Sequence, residues 1–233
     1  MTKLFLIPTT LSNTINSNVL LSFQLNQIKH LQYFIVETAK IGRQHLRYLQ
    51  LDHTLQKLHI QELNKHKTDL KNLIQPLLDG FDMGLISDCG LPAVADPGSI
   101  VVKSAHSLNV EVVPLIGPSS LMLALMASGV NGQSFAFQGY LPIDSDAKKC
   151  KILQLQELIL KHQQSQIIIE TPFRNVQLFE TLINILNKDI TLCIAVNLMQ
   201  ETQKIVSKSI NEWRKMNNLC GFHKNEVIFV IGI

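Results

Sequence analysis

The sequence predicts an α/β fold built from two α/β domains. Short apolar runs of strand length alternate with helix-length amphipathic stretches, and that rhythm changes after Gly129. Such alternation is the pattern of βαβ units and a parallel sheet. The turn-forming residues are also unevenly spread. Of the eleven glycines, eight fall between Gly80 and Gly139, and five of the eight prolines fall between Pro92 and Pro142. The chain therefore makes its sharpest turns in the middle, around a boundary placed at Gly117-Pro118, giving domains 1–117 and 118–233.

Taken in order, Lys3–Ile7 (KLFLI) is a buried strand and Asn18–Leu31 has helical spacing. Tyr33–Val36 is a strand, Thr38–Leu49 a helix and Lys57–Ile60 a strand. Thr68–Leu78 is a helix interrupted by Pro76 and closed by Gly80. Met83–Ile86 is a strand leading into the loop SDCGLPAVADPG. Ser99–Leu108 is a helix, and Val110–Leu115 a strand. Ser119–Ser128 is an apolar helix with Ser119 as its N-cap. In the second half, Ser134–Phe137 is a strand and Ser145–His162 a long helix. Gln166–Ile169 is a strand and Arg174–Leu186 a helix. Strands follow at Ile190–Val196 and Lys204–Ser207, then a short helix at Asn211–Met216 and a strand at Val227–Ile231. This half reads as a second α/β or α+β domain.

Composition narrows the function classes. The chain has 233 residues, 46% of them apolar and 17% charged, which excludes a disordered chain. Its longest apolar stretch, Leu121–Ala127, is far below the roughly 18 residues of a membrane span. No secretory leader opens the chain, so the expected location is the cytoplasm. The net charge is +3, with no basic block and only four arginines (Arg43, Arg47, Arg174 and Arg214). That permits an RNA partner without arguing for one. Cys89, Cys150, Cys193 and Cys220 show no CxxC spacing, so neither a zinc site nor a disulfide framework is expected.

Three loops leave strand ends with distinctive chemistry, and ligands of open parallel sheets sit at such ends. The first, Ser87–Gly98, is long for a βα connection and carries Asp88, Gly90, Pro92, Asp96 and Gly98. The second, Gly117-Pro118-Ser119-Ser120, opens onto a helix N-terminus. The third, Glu170-Thr171-Pro172-Phe173-Arg174-Asn175, has Pro172 placed as a first helical residue with Thr171 as cap. Neither a GxGxxG fingerprint nor a P-loop is present. Glu37, Asp88, Asp96 and Glu170 are the carboxylates near predicted strand ends, and Glu37 is the candidate catalytic base. Trp213 lies away from these motifs and reads as a packing residue.

SDCGLPAVADPG, VVPLIGPSSLMLALMASG and FAFQGYLP resemble the core motifs of the ribosomal small subunit methyltransferase I group. That group is part of the tetrapyrrole (corrin/porphyrin) methylase superfamily. ETPFRN and KNEVIFVIGI resemble its later elements. The resemblance is dense over Met83–Pro142 and collinear elsewhere. It implies two α/β domains with S-adenosylmethionine in the cleft between them, methyl transfer to RNA, and a homodimer. It also implies that Asp88, Gly90, Leu91, Pro92 and Val94 line the cofactor from the first loop, and Gly117, Pro118, Ser119 and Ser120 from the second. Glu170, Thr171, Asn197 and Leu198 line it from the second domain. Asp96 and Pro8 fall on the acceptor side. No metal is implied.

Departures from the group's pattern also fall on the acceptor side. The opening T-P-I-G-N-L-x-D is replaced by Pro8-Thr9-Thr10-Leu11-Ser12-Asn13-Thr14, without its glycine. A-E-D-T-R becomes Val36-Glu37-Thr38-Ala39-Lys40. His66, in Asn64-Lys65-His66, stands near the group's Asn-rich element. Three functions stay open at this point. They are a methyltransferase of ribosomal RNA, a methyltransferase of a tetrapyrrole or other small molecule, and a catalytically silent S-adenosylmethionine-binding protein.

Overall fold

A computed structural model describes residues 2–11, 19–63, 69–216 and 222–233. The chain divides into two compact units, Met1–Ser119 and Ser120–Ile233. The first contains β1 (Lys3–Ile7), α1 (Ser22–Ile28), β2 (Tyr33–Val36), α2 (Ala39–Leu46), β3 (His59–Glu62), α3 (Leu70–Leu78), β4 (Met83–Ile86), α4 (Ser99–Ser107) and β5 (Glu111–Pro114). The sheet order is β3-β2-β4-β1-β5, with every pair parallel.

A parallel sheet is covered on both faces, and its strands are correspondingly apolar throughout. Alternate residues of β1 serve the two faces. Leu4 and Leu6 pack with Leu73, Leu77, Val101 and Ala105 of α3 and α4. Phe5 and Ile7 pack with Ile28 and Leu46 of α1 and α2. Gly84 in β4 makes room for that second layer, since a Cβ there would lie 2.7 Å from Phe34 and 2.8 Å from Ile7. Pro76 was expected to interrupt its helix, but α3 continues through it to Leu78. The ring is buried with Leu73 and Leu77, and that packing offsets the lost backbone bond.

The second unit contains α5 (Ser120–Ser128), β6 (Phe135–Tyr140), α6 (Ser145–His162), β7 (Ser165–Ile169), α7 (Asn175–Ile185), β8 (Thr191–Val196), β9 (Lys204–Ser209), α8 (Ile210–Arg214) and β10 (Val227–Gly232). Its sheet order is β6-β7-β10-β8-β9. Only β6 and β7 pair in parallel; β10 runs antiparallel to both β7 and β8, and β8 to β9. This is a mixed sheet, so an all-parallel sheet is found in the first unit alone. One face packs on α6 and α7 through Leu155, Phe179 and Phe229, with Trp213 buried among them. The Trp213 indole N–H donates to the Leu192 carbonyl at 2.8 Å. The other face packs on α5 through Ala124, Leu125, Ile167 and Val230.

β6 runs three residues further than its apolar stretch implies. Gly139, at φ +65, absorbs a register shift between Phe137 and Gly139, and pairing continues to Tyr140. The expected features at Ser12–Thr14, Asn64–Lys67 and Cys220 lie outside the described residues.

Candidate functional site

In the first unit, β1, β4 and β5 are neighbours, so the segments leaving their carboxyl ends converge. The Ser87–Gly98 loop is tightly contorted. Gly90 (φ 73), Ala93 (φ 65) and Ala95 (φ 62) are all left-handed. A non-glycine residue held there costs about 1 kcal/mol or more, and such strain clusters at functional loops. The Asp96 carboxylate offsets it by accepting from Ala93 N at 2.9 Å and Gly98 N at 2.7 Å. Asp96 thus shapes the loop from within. Pro92 is buried, Leu91 is half-buried and Val94 is exposed at the loop's crest.

The β1 end is stitched to the same loop. Thr9 N donates to Gly90 O at 2.9 Å, and Thr9 Oγ1 lies 3.4 Å from the Ser87 and Gly90 carbonyls. Buried Pro8 sits against Gly117, where an added Cβ would lie 2.2 Å from Pro8 Cβ and 3.7 Å from Leu91 Cδ2. A Cβ at Gly90 would lie 3.5 Å from the Pro118 carbonyl. Pro8, Gly90, Leu91, Gly117 and Pro118 are therefore brought together. Ser119 and Ser120 continue this segment as half-buried residues, with α5 beginning at Ser120.

Glu37 and Asp88 meet as well. Glu37 Oε2 accepts from Asp88 N at 3.2 Å. The Asp88 carboxylate accepts from Thr38 N at 3.0 Å and Thr38 Oγ1 at 2.6 Å. Beside them lies a small concavity of about 10 Å³, room for about one water molecule, lined by Pro8, Thr9, Thr10, Leu20, His45 and Leu49 among others. Sequence reasoning gave no role to Thr9 and Thr38, which stand in the altered family elements, and passed over His45, which stands in no recognisable motif.

In the second unit, β7 and β8 both oppose β10 and so end at the same edge of their sheet. Glu170 is buried there. Its Oε1 accepts from Thr171 N at 2.8 Å, Arg174 Nε at 3.0 Å and Arg174 Nη2 at 2.6 Å. The helix start expected at Arg174 holds to within one residue, and Pro172 is not the first helical residue. α7 begins at Asn175 with Arg174 as N-cap, and Thr171–Arg174 is a turn closed by Arg174 N to Thr171 O at 3.0 Å. The Glu170–Arg174 ion pair favours that turn over a helix opening at Pro172.

Asn197, at φ 47, donates to Thr202 Oγ1 at 2.9 Å and to Asn225 Oδ1 at 3.0 Å, and accepts from Glu226 N at 3.1 Å. Leu198 is buried beside it. Asn175 Nδ2 donates to the carbonyls of Phe222 at 3.0 Å and Asn225 at 2.8 Å. The turn before β10 therefore fastens both strand-end loops, a role the sequence did not signal. Among the described residues, no group of three or more His, Cys, Asp or Glu side chains could hold a metal ion.

Comparison with known proteins decides the kinship. Ribosomal RNA small subunit methyltransferase I of Buchnera aphidicola (subsp. Baizongia pistaciae) is 27% identical over 234 residues, 98% of this chain and 75% of that protein. The chain is a homologue of these small-subunit methyltransferases. The Bacillus subtilis protein of that name is 28% identical over 222 residues, 94% of this chain and 72% of its own length. The Vibrio cholerae protein is 34% identical over 140 residues, 60% of this chain and only 47% of its own length. The chain thus spans about half of that relative and about three quarters of the other two. No protein-family model matches.

Solved structures give the fold. The cobalt precorrin-4 methyltransferase CbiF superposes with a TM-score of 0.62 at 12% identity, covering 99% of this chain and 94% of CbiF. The methyltransferase CobJ gives 0.61 at 11% identity, covering 99% of this chain and 93% of CobJ. The architecture is that of the tetrapyrrole methylases.

Proposed function

We propose that this chain is an S-adenosylmethionine-dependent methyltransferase acting on RNA, with ribosomal RNA as the acceptor class. The observation that carries this reading is the convergence of Pro8, Gly90, Leu91, Gly117 and Pro118 in a homologue of ribosomal RNA methyltransferases. Ser87–Gly98 and Gly117–Ser120 contain no Lys or Arg and carry neither the GxGxxG nor the P-loop pattern that cradles a pyrophosphate on backbone N–H groups. Backbone groups, apolar Leu91 and Val94, and the nearby carboxylates suit a cationic sulfonium nucleoside instead. Glu170, Thr171, Asn197 and Leu198 are the residues of the second unit assigned to the same cofactor.

When bound, S-adenosylmethionine supplies an electrophilic methyl group for in-line displacement. The chain's own residues then have two tasks. The loops align the acceptor, and well-oriented reactants gain several kcal/mol, about 7–11 in ideal cases. A base takes the acceptor hydroxyl's proton. Glu37 is assigned that role; its bond to Asp88 N fixes the carboxylate at the sheet's carboxyl edge. Glu37→Gln keeps an oxygen to accept that N–H but loses basicity. Its kcat is expected to fall at least tenfold, with cofactor affinity within twofold of wild type.

The deciding experiment is calorimetric titration with S-adenosylmethionine. It is followed by labelled methyl transfer to ribosomal subunits, total RNA and a porphyrinogen panel from a deletion strain. Saturable binding and label in the small subunit are expected. Label in a porphyrinogen alone would transfer the reading to small-molecule methylation, and binding without transfer to any acceptor would favour a silent cofactor-binding protein. The same reading expects a cytoplasmic homodimer, which sedimentation tests directly.

A further inference from the structure

Asp88 is held at every polar position by residues of the segment that leaves β2. Its N–H donates to Glu37 and its carboxylate accepts twice from Thr38. Its carbonyl oxygen lies 3.4 Å from His45 Nε2. Thr38 precedes α2 and His45 stands in its last turn, seven residues on. At about 1.5 Å per residue the two are roughly 10 Å apart along the helix. Residues at that spacing share a face, and helical side chains lean toward the N-terminus, so the imidazole reaches back to the same loop residue.

His45 is buried at 6% exposure, and among the described residues it is the one titratable side chain lining the concavity beside Pro8, Thr9 and Thr10. Burial holds its pKa below the ordinary histidine value, against the opposing pull of the Asp88 carbonyl and carboxylate. Asp88 and, through it, Glu37 are the charged groups on this side of the ring. The neutral ring carries one N–H. A carbonyl oxygen only accepts, so the proton is on Nε2. Among the described residues Nδ1 makes no hydrogen bond.

We propose that His45 is a positioning residue: from inside the concavity its Nε2–H holds the Asp88 carbonyl and fixes the path of the Ser87–Gly98 loop. Its functional weight rests on the reading of that loop as the cofactor's. The concavity and the loop then share one side chain, the ring that sets the loop.

The test compares wild type, His45→Leu and His45→Gln as full chains without ligand, by amide hydrogen exchange across Cys89–Gly98. His45→Leu is expected to speed exchange there about fivefold, as loss of one hydrogen bond implies. His45→Gln is expected to restore it, because its amide N–H reaches the same carbonyl. Nitrogen-15 spectra of wild-type histidines are expected to show the Nε2–H tautomer at His45. Unchanged exchange in His45→Leu, equal exchange in the two variants, or an Nδ1–H tautomer would each overturn the proposal. Should His45→Leu fail to fold, the tautomer and His45→Gln decide. S-adenosylmethionine titration of the same proteins separates the two readings. A responsive loop in a protein that binds no cofactor keeps the role of His45 and removes the cofactor assignment. Cofactor binding with an unresponsive loop does the reverse.

Discussion

Gly117→Ala tests the convergence of loops most directly. The added Cβ would lie 2.2 Å from Pro8 Cβ and 2.3 Å from Pro8 Cγ. Carbon atoms pack best at about 3.5–4.0 Å, so one partner must move by more than 1 Å. Pro8 is buried, its ring has no rotamer to escape into, and it directly follows β1, an interior strand paired on both sides. The cost belongs at the upper end of overpacking, about 3 kcal/mol, a fall in melting temperature of roughly 10 °C. Two glycines calibrate it. Gly129 has φ +77 and nothing within 4 Å of an added Cβ, so Gly129→Ala isolates the conformational cost, about 1 kcal/mol. Gly132 has neither feature, and Gly132→Ala is expected to be neutral or slightly stabilising. Thermal unfolding ranks the three. Adding Pro8→Gly to Gly117→Ala removes both clashing atoms and is expected to recover stability despite the flexibility it introduces. A Gly117→Ala protein melting within 2 °C of wild type, or a strictly additive double mutant, would refute the reasoning.

Three further outcomes follow from single residues. Asp96→Ala removes the acceptor for two loop amides while Ala93 and Ala95 stay strained, so about 2 kcal/mol of local stability is expected to be lost, read as faster proteolysis within Leu91–Gly98. Burial pushes the Cys193 thiol up to about 11, so alkylation mapped by mass spectrometry at pH 8 should modify exposed Cys89 and Cys150 quickly and Cys193 only on unfolding. Because His45 is depressed below 6.5, the unfolded chain takes up that proton first; the stability is present above pH 6.5 and lost as pH falls through the folded value, and His45→Gln is expected to flatten that part of a denaturant-midpoint profile.

What was legible in the chain depended on whether the cause was local. KLFLI, YFIV and MGLI read correctly because both faces of a parallel sheet are buried, leaving unbroken apolar runs. β6 was cut short because its bulge places polar Gln138 and left-handed Gly139 inside the strand. The insertion of β10 between β7 and β8 was not legible, since VIFVIG is equally apolar in either direction. In the site, Gly and Pro marked the loops, because backbone conformation is a local demand. The holders of those loops were invisible. His45 stands in an ordinary-looking helix and meets Asp88 across 43 residues, while Asn225 reaches back 50 residues to Asn175.

Four polar residues of these loops share one habit: each turns toward its own framework. Asp88 holds Thr38, Asp96 holds Ala93 and Gly98, Glu170 holds Thr171 and Arg174, and Asn197 holds Glu226 and Asn225. A loop with several left-handed residues would relax without such partners, because each strained position costs about as much as one hydrogen bond returns. The carboxylates act first on the loops that they hold. The glycines and the carboxylates meet one requirement from two sides. Gly90 and Gly117 let neighbouring segments approach closely, and Asp88 and Asp96 keep the approaching loop in place. The turn-forming residues concentrated in the middle of this chain and the two aspartates set among them therefore serve a single mechanical purpose.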